Sequence, residues 1–191
     1  SFFLFFIIAQ RVHANKRSLH RILPLASAAA GWYNRENPAG KDLIPMTKQE
    51  TYAFLRARGV DFEAVEHRAV FNMEECAALH LPHPEADAKN LFVRDDKKLN
   101  YYLLTVRGEK RVDLKAFRRT YGTRSLGFAS PDELICYLGL MPGSVSPLAL
   151  LRDRARNVRF FLDEDFLLPP GRIGVHPNDN TATVFLQAAD L

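Results

Sequence analysis

The order of strand-like and helix-like patterns along residues 46–191 is the feature that most constrains the fold. Apolar, β-rich runs cover 61–67, 89–94, 99–106, 157–162, 172–175 and 182–186. The charged turn 95–98 joins the second and third of these runs, which predicts a hairpin. The predicted helices, each with its capping residue, are 48–58 after Thr47, 73–81 after Asn72, 114–121 after Asp113 and 131–138 after Ser130. The helices do not follow the strands in the βαβ rhythm of a parallel sheet. The sequence therefore predicts a compact α+β domain with a curved, mainly antiparallel sheet and helices around it.

The positive net charge is unevenly distributed. The chain carries a formal charge of +4, with six Lys/Arg against two Asp/Glu in residues 1–45 and twenty of each in residues 46–191. Between Lys89 and Arg124, a segment that we name the basic stripe, there are eleven basic residues and four acidic ones. Such a stripe suits a polyanionic partner that is bound transiently. A solvated surface with scattered charges is the alternative, which the charge counts alone do not exclude.

Residues 1–45 differ from the rest of the chain and are interpreted as a leader. Phe2–Ile8 is apolar but too short to span a bilayer, and Ala26–Ala30 resembles a signal cleavage site. A secretory signal, an organelle transit peptide, and vector-encoded or upstream translated sequence are the alternatives. Met46 has the features of a natural start, because Thr47 and Glu50 directly after it form a capping box. We therefore favour an artefactual or dispensable leader, with organelle targeting second, and a domain that covers residues 46–191.

The reactive side chains give few signals of known chemistry. Cys76 and Cys136 lie in apolar helical patterns, which predicts buried free thiols in a reducing compartment, here the cytoplasm. No P-loop, HExxH, GxSxG or paired-carboxylate motif occurs, so the sequence predicts no metal, no cofactor and no nucleophilic side chain. His80 and His83, on either side of Pro82, are assigned no role.

Three stretches carry more information together than singly. The first, Gly139–Leu151, contains Gly143 and Pro147, which predict a rigid loop with accessible backbone N–H groups. The others are Ala88–Asp95 (AKNLFVRD) and Gly174–Val184 (GVHPNDNTATV). Each is weak evidence alone, because most Gly/Pro loops only turn the chain.

In this combination the three stretches resemble the YbaK and prolyl-tRNA-synthetase-associated editing domains, in particular the freestanding bacterial deacylases of Ala-tRNA(Pro). The resemblance covers residues 46–191 nearly end to end. It implies a barrel-like sheet and a C-terminal helix, of which residues 187–191 would be the first turn.

The resemblance also implies a set of site residues. Lys89 and Asn90 match the Lys-Asn pair whose lysine is essential in the family, and His176 becomes a pocket residue that contacts the aminoacyl group or orders water. Lys89 would hold the terminal phosphate of the substrate or polarise the aminoacyl carbonyl. The residues implied to bind substrate are Gly143, Ser144, Val145, Ser146, Pro147, His67, Asn180 and Thr181.

The activity implied is hydrolysis of the ester of Ala-tRNA(Pro) in a pocket that admits alanine and excludes proline by shape. The partner would be the acceptor end of tRNA(Pro), with prolyl-tRNA synthetase as an optional second partner and with neither a membrane nor DNA. The tRNA contacts would come from Arg94, Lys97, Lys98, Arg107, Lys110 and Arg111. The alternative interpretations are the same fold acting on Cys-tRNA(Pro) or another small aminoacyl-tRNA, a non-catalytic tRNA- or synthetase-binding module, and a regulatory partner of a synthetase.

Overall fold

A computed structural model of the chain describes residues 22–24, 46–71 and 73–191. The α-helices among these residues are α1 (Lys48–Ala57), α2 (Met73–Ala77), α3 (Leu114–Tyr121) and α4 (Pro131–Leu138). The strands are β1 (Ile22–Pro24), β2 (Phe62–Glu66), β3 (Ala88–Asp95), β4 (Tyr101–Arg107), β5 (Leu126–Phe128), β6 (Val158–Asp163), β7 (Arg172–Val175) and β8 (Ala182–Gln187). None of the helices in the described ranges is both long and apolar enough to cross a lipid bilayer.

The predicted caps form in three of the four helices. Thr47 and Glu50 satisfy each other's backbone N–H groups at the start of α1, as in a capping box. Asp113 caps α3, and Ser130 caps α4. Helix α2 is shorter than predicted, and its capping residue Asn72 lies outside the described residues.

The end of α2 has a local cause. The last turn tightens, because the backbone N–H of Leu79 donates to the Cys76 carbonyl oxygen three residues earlier. His80 then adopts a positive φ of 49°, which a continuing α-helix does not allow. Residues 78–83 therefore leave the helix as an irregular segment, and this segment becomes one wall of the site.

The strands form two sheets that are mainly antiparallel, as predicted. The larger sheet has the order β1-β6-β4-β3-β5, and the smaller has the order β2-β8-β7. Strands β3 and β4 form the predicted hairpin, in which Lys89 pairs with Val106 and Asn90 with Thr105. One pair, β4 with β6, is parallel. The described strands do not close into a barrel, so the barrel-like shape stays a prediction.

The apolar core lies on both faces of the larger sheet. Alternate residues of β4 face opposite sides: Leu103 packs with α4, whereas Leu104 packs with α3. A third apolar cluster joins the two sheets through Leu162 of β6 and Val184 of β8. The smaller sheet is thus fixed to the larger one by buried contacts, which gives the site rigid walls on both sides.

The first and the last described segments of the chain have different structures. Three residues of the predicted leader, Ile22–Pro24, pair with Phe161–Asp163 of β6, so this part of the leader belongs to the larger sheet. The other predictions for the leader concern residues outside the described ranges. At the other end, where a first α-helical turn was expected, Ala188–Asp190 form a 3-10 turn.

Candidate active site

A cavity of about 400 Å³ opens between the start of β3, the smaller sheet and the segment after α2. Thr183 and Phe185 of β8 face it, whereas Val184 and Leu186, which alternate with them, face the core. Asn90 of β3 and His176, just after β7, also line it. The volume lies in the range of pockets that bind small molecules. Most of the remaining lining is apolar, so the few polar groups decide what the cavity can do.

Asn90 is held in one orientation by two hydrogen bonds. Its Nδ2 donates to the Val145 carbonyl oxygen at 2.9 Å, and its Oδ1 accepts from Thr105 Oγ1 at 2.6 Å. Thr105 is the cross-strand partner of Asn90 in the hairpin and is fully buried. The second N–H of the amide has no partner among the described residues. Asn90, which lines the cavity, is therefore held in a fixed orientation with one N–H still able to donate.

His176 is held as a neutral base. Its Nδ1 donates to the Ala182 carbonyl oxygen at 2.8 Å, which places the ring proton on Nδ1 and leaves Nε2 as an acceptor. Burial lowers the pKa of His176, and the nearby His67 ring, 6.0 Å away between centroids, lowers it further. At neutral pH the Nε2 lone pair is therefore available to bind a proton or to orient a water molecule.

The Gly143–Pro147 loop is hydrogen-bonded to the side chain of Asn90 and to the backbone of His176. The Val145 carbonyl oxygen accepts from Asn90, and the Ser146 hydroxyl donates to the His176 carbonyl oxygen at 2.5 Å. The same hydroxyl accepts from Leu148 N at 3.1 Å, where a 3-10 helix (Pro147–Arg152) begins. The loop thus lies behind the cavity lining and is hydrogen-bonded to both Asn90 and His176.

Gly143 explains how the loop reaches that position. Its φ is +93°, a value that residues with a side chain rarely adopt. A Cβ atom at this position would also lie 3.0 Å from Phe71 Cδ1. Ser144 donates its hydroxyl to the Met141 carbonyl oxygen at 2.8 Å and so closes the start of the loop. The residues that line the cavity in the described part of the chain do not include any from 143–147.

Lys89 lies apart from the cavity. Because neighbouring residues on a strand point to opposite faces, its side chain leaves β3 on the side away from Asn90. Its Nζ donates to the Gly108 carbonyl oxygen at 3.0 Å, and Lys89 is not among the described residues that line the cavity. In the described part of the chain, Lys89 and the 143–147 loop, both implied to form the site, are therefore absent from the cavity lining.

The other three candidate substrate residues support the walls. His67 contacts Thr183 Oγ1 at 3.0 Å through Nε2, and so stands directly behind the lining. Asn180 donates to the Val70 carbonyl oxygen at 3.0 Å. Thr181 accepts from Lys48 Nζ at 2.9 Å and donates to Asp179. Asn180 and Thr181, which the resemblance implied to bind substrate, therefore shape the turn between β7 and β8 and are not among the described residues that line the cavity.

The family model for the aminoacyl-tRNA editing domain matches residues 67–191, and this range contains every residue that lines the cavity in the described part of the chain. The chain belongs to the aminoacyl-tRNA editing domain family. The Prolyl-tRNA editing protein ProX of Acetoanaerobium sticklandii is 36% identical over 144 residues, which is 75% of this chain and 87% of that protein. Prolyl-tRNA synthetase associated domain-containing protein 1 of Mus musculus is 36% identical over 156 residues, or 80% of this chain and 89% of that protein.

A solved structure shares the fold of this editing domain. The crystal structure of a candidate trans-editing enzyme for prolyl tRNA synthetase superposes with a TM-score of 0.57 at 22% sequence identity. The match covers 76% of this chain and 89% of that one. At this identity the likeness supports the mixed α+β architecture described above.

The six basic residues assigned to tRNA do not form one exposed surface of the editing domain. Lys110 is buried, with its Nζ 2.8 Å from Asp163 and 2.6 Å from Asp165. Arg94 pairs with Glu133 at 3.1 Å, and Arg107 donates to the carbonyl oxygens of residues 85 and 165. The residues of the set that are exposed are Lys97, Lys98 and Arg111.

Several residues at the cavity of this editing domain were not recognised in the sequence. Thr105 orients Asn90, and the hairpin register alone would have placed it opposite Asn90. Asp87 and Cys76 line the cavity. Cys76 and Cys136 are free thiols as predicted, but both are half-buried rather than buried. His83 also lines it, although no signal in the sequence indicated a role for this residue.

Proposed function

We propose that this chain is a trans-acting deacylase that hydrolyses the aminoacyl ester of mischarged tRNA(Pro), with Ala-tRNA(Pro) as its substrate. The observation that carries the proposal is that a fixed amide donor, Asn90, and an unprotonated imidazole nitrogen, His176 Nε2, line one cavity. The similarity to a prolyl-tRNA editing protein over 87% of its length supports the choice of substrate. The activity would reside in residues 46–191, whose larger sheet also includes the strand Ile22–Pro24, and the protein would act where tRNA is charged, in the cytoplasm.

Asn90 would bind the ester carbonyl. The second N–H of its amide is free to donate to the carbonyl oxygen, on which negative charge develops when water attacks. A donor that is already oriented costs no reorganisation at that moment, and removing one such donor typically costs about 10²–10³ in kcat. The hydrogen bonds to Val145 and Thr105 provide this orientation.

His176 would position the attacking water. Its Nε2 can accept a hydrogen bond from water or from the vicinal ribose hydroxyl, and burial keeps the ring neutral for this role. An aminoacyl ester is already activated, so positioning and charge stabilisation can suffice without a nucleophilic side chain. His67, which contacts Thr183 behind the lining, would fix the wall beside the water.

Lys89 and the 143–147 loop would take supporting roles. The Lys89 ammonium donates to Gly108 outside the cavity, which favours contact with the terminal phosphate over polarisation of the ester carbonyl. The loop would position Asn90 and His176 through Val145 and Ser146. Lys97, Lys98 and Arg111 are exposed and would contact the phosphates of the acceptor stem.

Substrate selection would depend on the shape of the cavity around the aminoacyl group. A volume of about 400 Å³ exceeds what an alanyl group alone requires, so size alone does not exclude proline. Exclusion of proline would need local contacts near Asn90 and His176. Cys-tRNA(Pro) is the second candidate substrate, since cysteine is also small and Phe185 and Pro84 give the cavity apolar walls.

One assay tests the proposal. Purified full chain is incubated with Ala-, Cys- and Pro-tRNA(Pro), and loss of each ester is followed over time. We expect hydrolysis of Ala-tRNA(Pro), little of Pro-tRNA(Pro), and a loss of about 10²-fold or more in kcat for Asn90→Ala. Tight binding of tRNA without any ester loss would instead indicate a non-catalytic binding module.

Lys89 is tested in the same assay. Lys89→Ala should raise KM more than it lowers kcat, because a phosphate contact contributes to the ground state and the transition state alike. A loss confined to kcat would contradict the role at the phosphate and would indicate that Lys89 reaches the ester in the complex.

A further inference from the structure

Asp87 is a carboxylate on the wall of the cavity that the proposed hydrolysis does not use. Among the described residues that line the cavity, it is the one whose side chain is a carboxylic acid. It lies at the end of the 3-10 turn Pro84–Ala86, directly before β3. Its backbone is fixed, because the Asp87 N–H donates to the Pro84 carbonyl oxygen and its own carbonyl oxygen accepts from Gly108 N at 3.0 Å.

The carboxylate of Asp87 is hydrogen-bonded but forms no salt bridge within the described ranges. It accepts from the Ala88 backbone N–H and, at 3.9 Å, from the Cys76 thiol. Burial raises the pKa of the Asp87 carboxyl, and the charge of Glu109 raises it further, while the Ala88 hydrogen bond and the charge of Lys89 act in the opposite direction. An incoming cation would therefore relieve a desolvated negative charge on this wall.

We propose that Asp87 binds the α-ammonium group of the aminoacyl ester and so orients the substrate in the cavity. This inference rests on the proposed deacylation, to which it adds the contact that recognises the amino acid as an amino acid. The ester carbonyl at Asn90 and the carboxylate at Asp87 would hold the two polar ends of the same small group.

The spacing along the chain fits this arrangement. Asp87 lies in the turn directly before β3 and Asn90 is the third residue of that strand, so strand alternation does not set the direction of the Asp87 side chain. The Cα atoms of the two residues are at most about 10 Å apart along the chain. Two hydrogen bonds of about 3 Å each, with the short path from the ester carbonyl to the α-nitrogen between them, cover a similar distance. Both side chains line the same cavity.

The chemistry of the rest of the wall also favours this role. Leu81, Pro82, Pro84, Val175 and Phe185 provide apolar surface for a side chain, and among the described lining residues Asp87 is the one with an acidic side chain that could pair with an ammonium group. An ammonium group that entered without a partner would bear its desolvation cost in full. A carboxylate at Asp87 offsets that cost and gives the α-carbon one preferred orientation.

The test compares two esters that differ at one group. Alanyl-tRNA(Pro) carries the α-ammonium, and lactyl-tRNA(Pro) carries a neutral hydroxyl of similar size in its place. We expect Asp87→Asn to lower kcat/KM for the alanyl ester by about 10- to 100-fold, as expected for loss of a charged hydrogen bond. The lactyl ester should change by less than about threefold, since it has no charge to lose. The ratio of the two effects cancels the different intrinsic reactivities of the esters.

Glu109→Gln is the matched control. Glu109 is exposed, carries the same charge and acts electrostatically on Asp87, but it does not line the cavity. This variant should not reduce the preference for the alanyl ester, because loss of the Glu109 charge favours the ionised form of Asp87. If Asp87→Asn slows both esters equally, Asp87 has only a structural role and the inference is wrong. If Asp87→Asn cleaves the alanyl ester as fast as the parent protein does, the proposed hydrolysis stands and the inference alone fails.

A measurement on the parent protein does not depend on the folding of a variant. The non-hydrolysable 3′-amide analogues of terminal adenosine, carrying alanyl or lactyl groups, are compared by their Kd. We expect the alanyl analogue to bind at least about tenfold more tightly, by the same charged hydrogen bond. Equal Kd values would overturn the proposal, whereas failure of the parent to cleave any ester would instead contradict the proposed function.

Discussion

At the scale of single residues, burial sets the chemistry of His176. Burial lowers its pKa, and the hydrogen bond from Nδ1 to the Ala182 carbonyl oxygen fixes the tautomer. We predict that the ring titrates below 6.5, the ordinary pKa of a histidine. The measurement is the pH dependence of the His176 ring-proton chemical shifts by NMR, assigned with a His176→Gln variant. A midpoint at or above that of the unfolded chain would contradict the role as a neutral base.

The lowered pKa of His176 also determines how its contribution to the stability of the protein changes with pH. Because the unfolded chain binds the proton more readily than the folded one, the contribution of neutral His176 to stability is fully present above the unfolded pKa. It is lost as the pH falls from about 6.5 toward the lower pKa of the folded state.

Thr105 acts on the reaction through Asn90. Thr105→Val keeps the shape of the side chain and removes the hydroxyl that fixes Asn90 Oδ1. We predict a loss of about 1 kcal/mol in the free energy of unfolding and of about tenfold in kcat, because the amide donor is no longer held in place. Denaturant unfolding and the deacylation assay measure the two effects.

Thr51→Val is the control for this prediction. Thr51 is equally buried, and its hydroxyl donates to the Thr47 carbonyl oxygen and accepts from Asn178 Nδ2 at 3.3 Å, so it does not contact Asn90. The Thr51→Val variant should lower the free energy of unfolding by about as much as Thr105→Val does and leave kcat unchanged. If both variants lower kcat alike, loss of stability rather than the orientation of Asn90 explains the effect.

At the scale of elements, the Gly143–Pro147 loop joins the two polar groups of the cavity. The buried Ser146 hydroxyl both caps the following 3-10 helix and donates to the His176 carbonyl oxygen. We predict that Ser146→Ala lowers the free energy of unfolding by about 1–2 kcal/mol and lowers kcat several-fold. Thermal or denaturant unfolding and the deacylation assay provide the measurements.

Ser144→Ala in the same loop is the comparison. Its hydroxyl donates to the Met141 carbonyl oxygen only, so this variant should cost at most about 1 kcal/mol and leave kcat unchanged. Equal effects of the two variants on kcat would show that the loop acts as a whole and that the contact to His176 has no special part.

Local signals in the sequence account for the elements but not for how they meet. The caps at Thr47, Asp113 and Ser130 and the β3–β4 hairpin were predicted, because each depends on residues close in the chain. The parallel pairing of β4 with β6 has no such signal, since the partners lie more than fifty residues apart. Likewise, nothing local indicated that Asn90 would bond to Val145, 55 residues away.

The candidate site was predicted in part for the same reason. Asn90 and His176 line one cavity, and the 143–147 loop contacts both, although from behind the lining. For Lys89, strand alternation fixes which face it takes relative to Asn90, but the sequence does not say which face carries the cavity. That depends on where the smaller sheet packs, which is a property of the whole fold.

At the scale of the whole molecule, the basic stripe contains both buried basic residues, which stabilise the fold, and exposed ones. Lys110 joins the segment after β4 to the end of β6 and the following 3-10 turn, through Asp163 and Asp165. Asp163 is fully buried, and the Lys110 side chain is 7% exposed. Arg111, the next residue, is exposed. Lys110 and Arg111 are neighbours in the chain with the same charge, but one is buried and the other is exposed. The effects of replacing each can therefore be compared directly.

We predict opposite outcomes for the two substitutions. Lys110→Ala leaves a buried carboxylate without its cation, and should lower the free energy of unfolding by about 3–5 kcal/mol. Arg111→Ala should change stability by less than about 0.5 kcal/mol, because it is a surface substitution. It should instead weaken tRNA binding and reduce the slope of log Kd against log salt by about 0.7–0.9, the change expected when the protein neutralises one phosphate fewer.

The salt titration separates this interpretation from a general effect of net charge. Arg154→Ala removes the same charge from an exposed position outside the basic stripe, and should leave the slope unchanged. If Lys110→Ala folds normally and reduces the slope as Arg111→Ala does, Lys110 reaches the tRNA and the buried ion pair is dispensable. If all three variants weaken binding equally, the tRNA responds to the net charge of the molecule rather than to the stripe. A reduced slope for Arg111→Ala alone would assign the phosphate contacts to the exposed cations, because buried charge is already neutralised within the fold.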